Sequence, residues 1–256
     1  MAFPLVHNLH YSWAGWPSQG VFPNEPEAVF FESLREAWKR DGLDLQARVW
    51  KPAQILMTFR IEPHVAPVVF ARAVKGRLQH ALRQAGTPAD FSRKIAMRSL
   101  GDNCTGAVEG YLRRQTARAE LLDERFRATL RAAGFEDGAI DLSAPAETLS
   151  GRYWYNLHLV AVTESRYRIG KEDFLDPVRA GALAWAKETD CRLKALAIMP
   201  DHVHLAVGGS PESSPSELAE ALWKGLNRAA GCRLMGENVY AGTFSEYGVG
   251  LVLRRN

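Results

Sequence analysis

Two histidines, His202 and His204, stand two residues apart in the run Met199-Pro200-Asp201-His202-Val203-His204-Leu205. On an extended strand, residues i and i+2 project from one face. Both imidazoles then leave the same side of a sheet, and neutral imidazole is a common ligand of divalent metals. A His-X-His pair is therefore a ready clamp, although two such residues also occur as a structural or solvated pair. A second pair is Tyr111 and Gln115, four apart in the helical pattern of residues 105–133, TGAVEGYLRRQTARAELLDERFRATLRAA. At that spacing the two share a helix face and can address one site. A phenol is a nucleophile where a site activates it; on an amphipathic helix it can equally be half-buried packing. Asp201 is the one carboxylate beside the clamp, so a hydrolase with a larger ligand set lacks its ligands here.

The elements that must position these groups are readable in the second half of the chain. LHLVAVT (157–163) and LKALAIM (193–199) read as strands, and PVRAGALAWAKE (177–188) and PSELAEALWKGLNRAA (215–230) as helices. Ser214 or Ser216 can cap the last of these beside Pro215. The first half shows a faint echo. HNLHY (7–11) reads like YNLHL (155–159), and Ala37-Trp38 like Ala184-Trp185. ILMTFRIEPHVAPVV (55–69) reads like LKALAIMPDHVHLAV (193–207), Lys75-Gly76 like Lys224-Gly225, and Phe91-Ser92 like Phe244-Ser245. On this alignment His64 falls under His202 and Ala66 under His204, so the first copy keeps one histidine and loses the clamp. The shared order predicts an α+β chain of two tandem ferredoxin-like β-α-β-β-α-β domains, a pseudo-dimer joined by a long helix. The expected divisions are a degenerate domain at 1–101, a tyrosine-bearing helix at 102–134, a linker at 135–150 and an intact domain at 151–256.

The string MPDHVHL resembles the hallmark of the HUH single-tyrosine transposases, the insertion-sequence-200/605 type enzymes and their REP-associated relatives. The resemblance covers 151–256 well and 1–101 faintly. It implies that His202 and His204, bracketing Val203, hold a divalent metal, Mg2+ or Mn2+. It implies that Tyr111 is the nucleophile and Gln115 the third ligand. The implied activity is cleavage and rejoining of single-stranded DNA, with hairpin structure, through a 5′-phosphotyrosine intermediate. Candidate phosphate contacts are Lys75, Arg77, Arg113, Arg114, Lys224 and Arg228. One half carries the tyrosine helix and the other the clamp, so a single composite site is expected, with Tyr111 on the second-copy histidines. Tyr240 and Tyr247 are the substitutes. The alternative is a domesticated or inactive relative that binds DNA hairpins or repeats without cutting.

Bulk composition permits this reading without demanding it. Of 256 residues, 46% are hydrophobic and 24% charged, enough for a sizeable core and unlike a disordered chain. A net charge of +3 allows a polyanionic partner. Three widely spaced cysteines, Cys104, Cys191 and Cys232, suit buried thiols in a reducing cytoplasm better than a disulfide framework. The N-terminus lacks the pattern of a signal peptide, and no apolar run approaches the roughly 20 residues that span a bilayer. The expected particle is a monomeric pseudo-dimer or a homodimer.

Overall fold

Side chains along Asn156–Thr163 alternate between the interior and a second, half-covered face, the period of a strand with one side on a core. Pro215–Ala230 is a helix because Ser214 and Glu217 satisfy each other's backbone N–H groups in a capping box, Pro215 fills the first turn, and Gly231 ends it in the left-handed conformation, φ 66°. The computed structural model describes residues 3–115, 123–169 and 172–250. The chain order begins β1 (Leu5–Asn8), β2 (His10–Pro17), α1 (Ala28–Arg40), β3 (Leu43–Lys51), β4 (Gln54–Ile61), α2 (Pro67–Gln84) and β5 (Phe91–Leu100). It continues with α3 (Thr105–Gln115), α4 (Glu124–Ala133), β6 (Phe135–Glu136) and β7 (Ala146–Thr148). It closes with β8 (Gly151–Trp154), β9 (Asn156–Thr163), α5 (Leu175–Glu188), β10 (Arg192–Ile198), β11 (His202–Gly208), α6 (Pro215–Ala230) and β12 (Met235–Phe244). No described helix is long and apolar enough to cross a membrane.

The protein is α+β, with two six-stranded mixed sheets ordered β3-β4-β2-β5-β8-β7 and β1-β12-β9-β11-β10-β6. Each contains the ferredoxin-like β-α-β-β-α-β unit, with its first strand between its third and fourth. One face of each sheet is buried by its own helices. In the second unit Leu157, Leu159, Val203 and Leu205 meet Val178, Leu222 and Leu226 there.

The two units exchange strands. β1 pairs parallel with β12, and β8 pairs parallel with β5. Hydrogen bonds between the units come in reciprocal pairs. Ser99 Oγ donates to Phe244 O at 2.7 Å, and Thr243 Oγ1 donates to Leu100 O. The backbone N–H of His10 donates to Thr243 Oγ1 at 2.9 Å, and that of Asn156 to Ser99 Oγ at 3.0 Å. Val68 N donates to Pro211 O at 3.1 Å and Ser216 N to Pro63 O at 2.9 Å. Thr105 N reaches Ser245 O and Val249 N reaches Gly101 O, both at 2.9 Å. Such reciprocity is the mark of an isologous two-fold contact, here within one chain.

This symmetry corrects the alignment drawn from sequence. His10 pairs with Leu100 and Arg60, and Asn156 with Phe244 and Gly208, so Asn156 occupies the place of His10. Counting along the paired strands puts Ser12 opposite His158 in role, Gln54 opposite His202 and Leu56 opposite His204. His64 is not a remnant of the clamp. It lies exposed in the turn between β4 and α2, and Pro63's contact makes its counterpart Glu212. The sequence alignment sets the apolar run of β4 against β10, whereas β4 is the third strand of its unit and its counterpart is β11. Phe91 opens β5 whereas Phe244 closes β12. Lys75-Gly76 sits one position out of step with Lys224-Gly225, because Pro67 and Pro215 both open their helices.

Three further expectations are revised. Residues 105–133 are not one helix: Asp123 is extended, with ψ 140°, and its carboxylate accepts from Arg125 N to start α4. Part of that span, 116–122, lies outside the described residues. The stretch 135–150 is no free linker, since Phe135–Glu136 pairs with β10 and Ala146–Thr148 with β8. Of the thiols only Cys191 is buried, while Cys104 and Cys232 are exposed.

Gly101 marks the crossing of the two units. A Cβ there would lie 1.8 Å from Thr243 O, a backbone atom that cannot step aside. Gly101→Ala should cost at least about 2 kcal/mol, because overpacking against backbone forces the sheets apart. Urea unfolding of both proteins measures this, and an unchanged midpoint would refute it.

Candidate active site

The site lies on the face of the second sheet that its own helices leave free. On β11, Val203 and Leu205 point into the core, so His202, His204 and Ala206 point the other way. On β9, whose His158 pairs with Ala206, the same face carries His158. Tyr240 comes up beside it from β12, ring centroids 6.2 Å apart. α3 covers this face. Val108 and Leu112 bury themselves against Ala195, Ala197, Ala206 and Phe244, the three alanines being small enough to let a helix lie close.

That packing sets Tyr111 edge-on to the imidazole of His204, centroids 5.3 Å apart, and 6.0 Å from His158. The rings of His202 and His204 are 4.7 Å apart. Gln115, one helical turn after Tyr111, is buried. The tyrosine helix thus docks on the second unit, not on the strand that leads to His64.

Each histidine is held by a partner. His202 Nδ1 donates to Asp201 Oδ1 at 2.6 Å, leaving Nε2 with a lone pair. Burial pushes the Asp201 carboxyl up, but the hydrogen bond from His202 and the Arg166 guanidinium hold it below its ordinary value. His204 Nδ1 meets His158 Nε2 at 3.1 Å, while His204 Nε2 is buried with no hydrogen-bond partner. Burial lowers the pKa of His158 to about 4. Burial, then the neighbouring His158 and His202, lowers that of His204 to about 3. Both rings are neutral near pH 7, the form that ligates metals. One proton is shared across the His158–His204 contact. Placed on His204 Nδ1, it leaves a lone pair on the orphaned Nε2; placed on His158, it makes that atom a buried N–H without an acceptor.

The depressed pKa values fix a sign for stability. The unfolded chain binds protons on these histidines near pH 6.5, whereas the folded chain refuses them down to about 4 and about 3. Their contribution is complete above pH 6.5 and is lost as pH falls from there to about 3. The melting temperature should drop across that window, and less steeply in His158→Gln/His204→Gln. Parallel melting curves for the two proteins would contradict the assignment.

The residues fit a divalent metal. His202 and His204 offer two lone pairs, one of them on an otherwise unpartnered buried nitrogen. Among the described residues no group of three or more His, Cys, Asp and Glu side chains could hold a metal ion.

The profile of the family "Transposase IS200 like" matches residues 152–228, the stretch from β8 through most of α6. Over this stretch the chain is similar to the IS200-like transposases. A candidate transposase of Deinococcus radiodurans R1 aligns at 22% identity over 39% of this chain and 86% of its own, with a TM-score of 0.33. The regulatory subunits of aspartate kinase from Thermus thermophilus and Thermus flavus align at 11% and 12% identity. They cover 86% and 87% of this chain and 93% and 94% of their own, each with a TM-score of 0.20. At these scores the three alignments say nothing of function. No curated protein matches the chain.

The expected phosphate contacts scatter over both units. Arg113 and Arg114 share α3 with Tyr111, but Arg113 is bound to Glu136. Lys224 and Arg228 sit on α6, behind the sheet, paired with Glu220 at 2.7 Å and Glu188 at 3.0 Å. Lys75 donates to Ser92 O at 2.8 Å and Arg77 is bound to Asp41, so both of these α2 cations are already engaged. His158 was missed as a site residue. It lies on the outward period of β9, and the pairing of β9 with β11 is what brings it to the clamp.

Proposed function

We propose that this protein cleaves and rejoins single-stranded DNA with Tyr111 as nucleophile and His202, His204 and Gln115 as the ligands of a divalent metal. The observation that carries the reading is the phenol of Tyr111 beside His204, whose outer nitrogen is buried and unpartnered. The metal, when bound, would polarise the scissile phosphate and stabilise the charge developing on it. Imidazole ligation favours manganese over magnesium, which prefers oxygen.

The chain's own groups do the rest. Asp201 orients His202, and His158 holds the proton of His204 on Nδ1 so that Nε2 faces the site. The Tyr111 oxygen attacks phosphorus, a Tyr–O–P bond forms, the P–O3′ bond breaks, and the proton lost by the phenol is matched by one gained on the departing 3′ oxygen. The product is a 5′-phosphotyrosine and a free 3′-hydroxyl. Attack by that hydroxyl, or another, restores the diester without ATP. α3 is already docked on the sheet, so nucleophile and ligands need no large rearrangement to meet.

The test is incubation of the full chain with manganese and a labelled pool of single strands of random sequence. A protein–DNA adduct that survives denaturant is the expected result. Binding without any adduct would leave a DNA-binding relative that does not cut.

A further inference from the structure

The first unit has a face equivalent to the one that carries Tyr111's site, and it holds an open groove of about 570 Å3. Strand register places Ser12, Gln54 and Leu56 there, in the positions of His158, His202 and His204. None is an imidazole, so the clamp is gone. What lines the groove instead is aromatic and basic. Trp16 is 36% exposed at one end. Trp154 stands at the other, with the Arg98 guanidinium 4.1 Å from its ring centroid. Lys94 is exposed between them, on the same face of β5 as Arg98. Arg98 is partly neutralised by Glu246 at 3.3 Å and Arg152 by Glu147 at 3.1 Å, whereas Lys94 has no acidic partner among the described residues. α3 and α4 both pack on the second sheet, so no described helix covers this face.

We propose that this groove binds single-stranded DNA, taking backbone phosphates on Lys94 and Arg98 and stacking bases on Trp16 and Trp154. The proposal rests on the transposase reading and adds to it a place for the strand away from the scissile phosphate. An open groove with one exposed indole, Trp16, one half-buried indole, Trp154, and the unpaired charge of Lys94 suits a polyanion with flat bases, since stacking tolerates any base and phosphate contacts need no sequence. A site stripped of catalytic groups can hold a strand without cutting it. Such a tether would keep a cleaved end close to Tyr111 for rejoining.

The experiment measures binding of a fluorescein-labelled oligothymidylate of about twenty residues by anisotropy over a range of salt concentrations. The proteins are wild type and Trp16→Ala/Lys94→Glu, with a thermal melt to establish that both fold. The double variant should bind roughly tenfold or more weakly, and the slope of log affinity against log salt should flatten by about 0.7. Photocrosslinking of wild type with strands carrying 5-iododeoxyuridine should map to peptides containing Trp16 or Trp154. This second readout does not depend on how the variant folds. Undiminished affinity in the double variant, or crosslinks confined to other peptides, overturns the groove. An intact Tyr111 adduct would then leave the transposase reading standing. If wild type neither binds a single strand nor forms an adduct, the transposase reading falls and the groove falls with it. A change of oligomeric state in the variant without a change in affinity would make the face an interface between copies, and likewise overturns the proposal.

Discussion

Tyr111→Phe should reduce the covalent protein–DNA adduct by roughly a thousandfold or more, to the floor of the assay, because it deletes the attacking oxygen and nothing else. The ring keeps its edge-on contact with His204 and its place in the small core beneath α3, so the fold and its melting temperature should hold. Single-strand binding should hold too, since affinity comes chiefly from phosphate contacts. The measurement is a denaturing gel of labelled DNA beside an anisotropy titration. Tyr240 is the control, for it also reaches this face, 6.2 Å from His158. Burial raises its pKa, which disfavours the ionised phenol there. Adduct persisting in Tyr111→Phe and vanishing in Tyr240→Phe would move the nucleophile to β12.

The second large effect is expected at the clamp. His204→Ala should lower manganese affinity and adduct yield at least about a hundredfold, because it removes a ligand and leaves His158 without its partner. Calorimetric titration with manganese separates the two consequences: affinity falls in the protein alone, before any DNA is present. His158→Gln should be milder. Its amide oxygen can still accept from His204 Nδ1, whereas His158→Leu cannot, so metal affinity should recover in the first relative to the second. His64→Ala should change neither quantity, since His64 lies in an exposed turn of the other unit. Equal losses from His64→Ala and His204→Ala would mean that the register-based assignment of the site is wrong.

Much of the second unit was legible in the sequence, because its signals are local. Alternation named β9, and the Ser214–Glu217 box with Pro215 named the start of α6. The two-residue spacing of His202 and His204 sufficed to put both on one face. The first unit was misaligned for a physical reason. Two apolar strands of one hairpin look alike by composition, and only hydrogen-bond register tells β4's counterpart from β10. His158 escaped notice because a lone histidine on a strand means nothing until β9 is known to run beside β11. The break at Asp123 was hidden by a helical period that continues through it.

The exchange of β1 and β8 has a consequence for anyone who divides the chain. Each sheet is completed by a strand that sequence order assigns to the other half. A cut between residues 134 and 135 would strip β1 from the second sheet and both β8 and β7 from the first. It would leave the outer edges of β5 and β12 bare, and unpaired edges aggregate. Expressed alone, either fragment should be poorly soluble; expressed together, they should reassemble by complementation, as two pieces of one interlocked object.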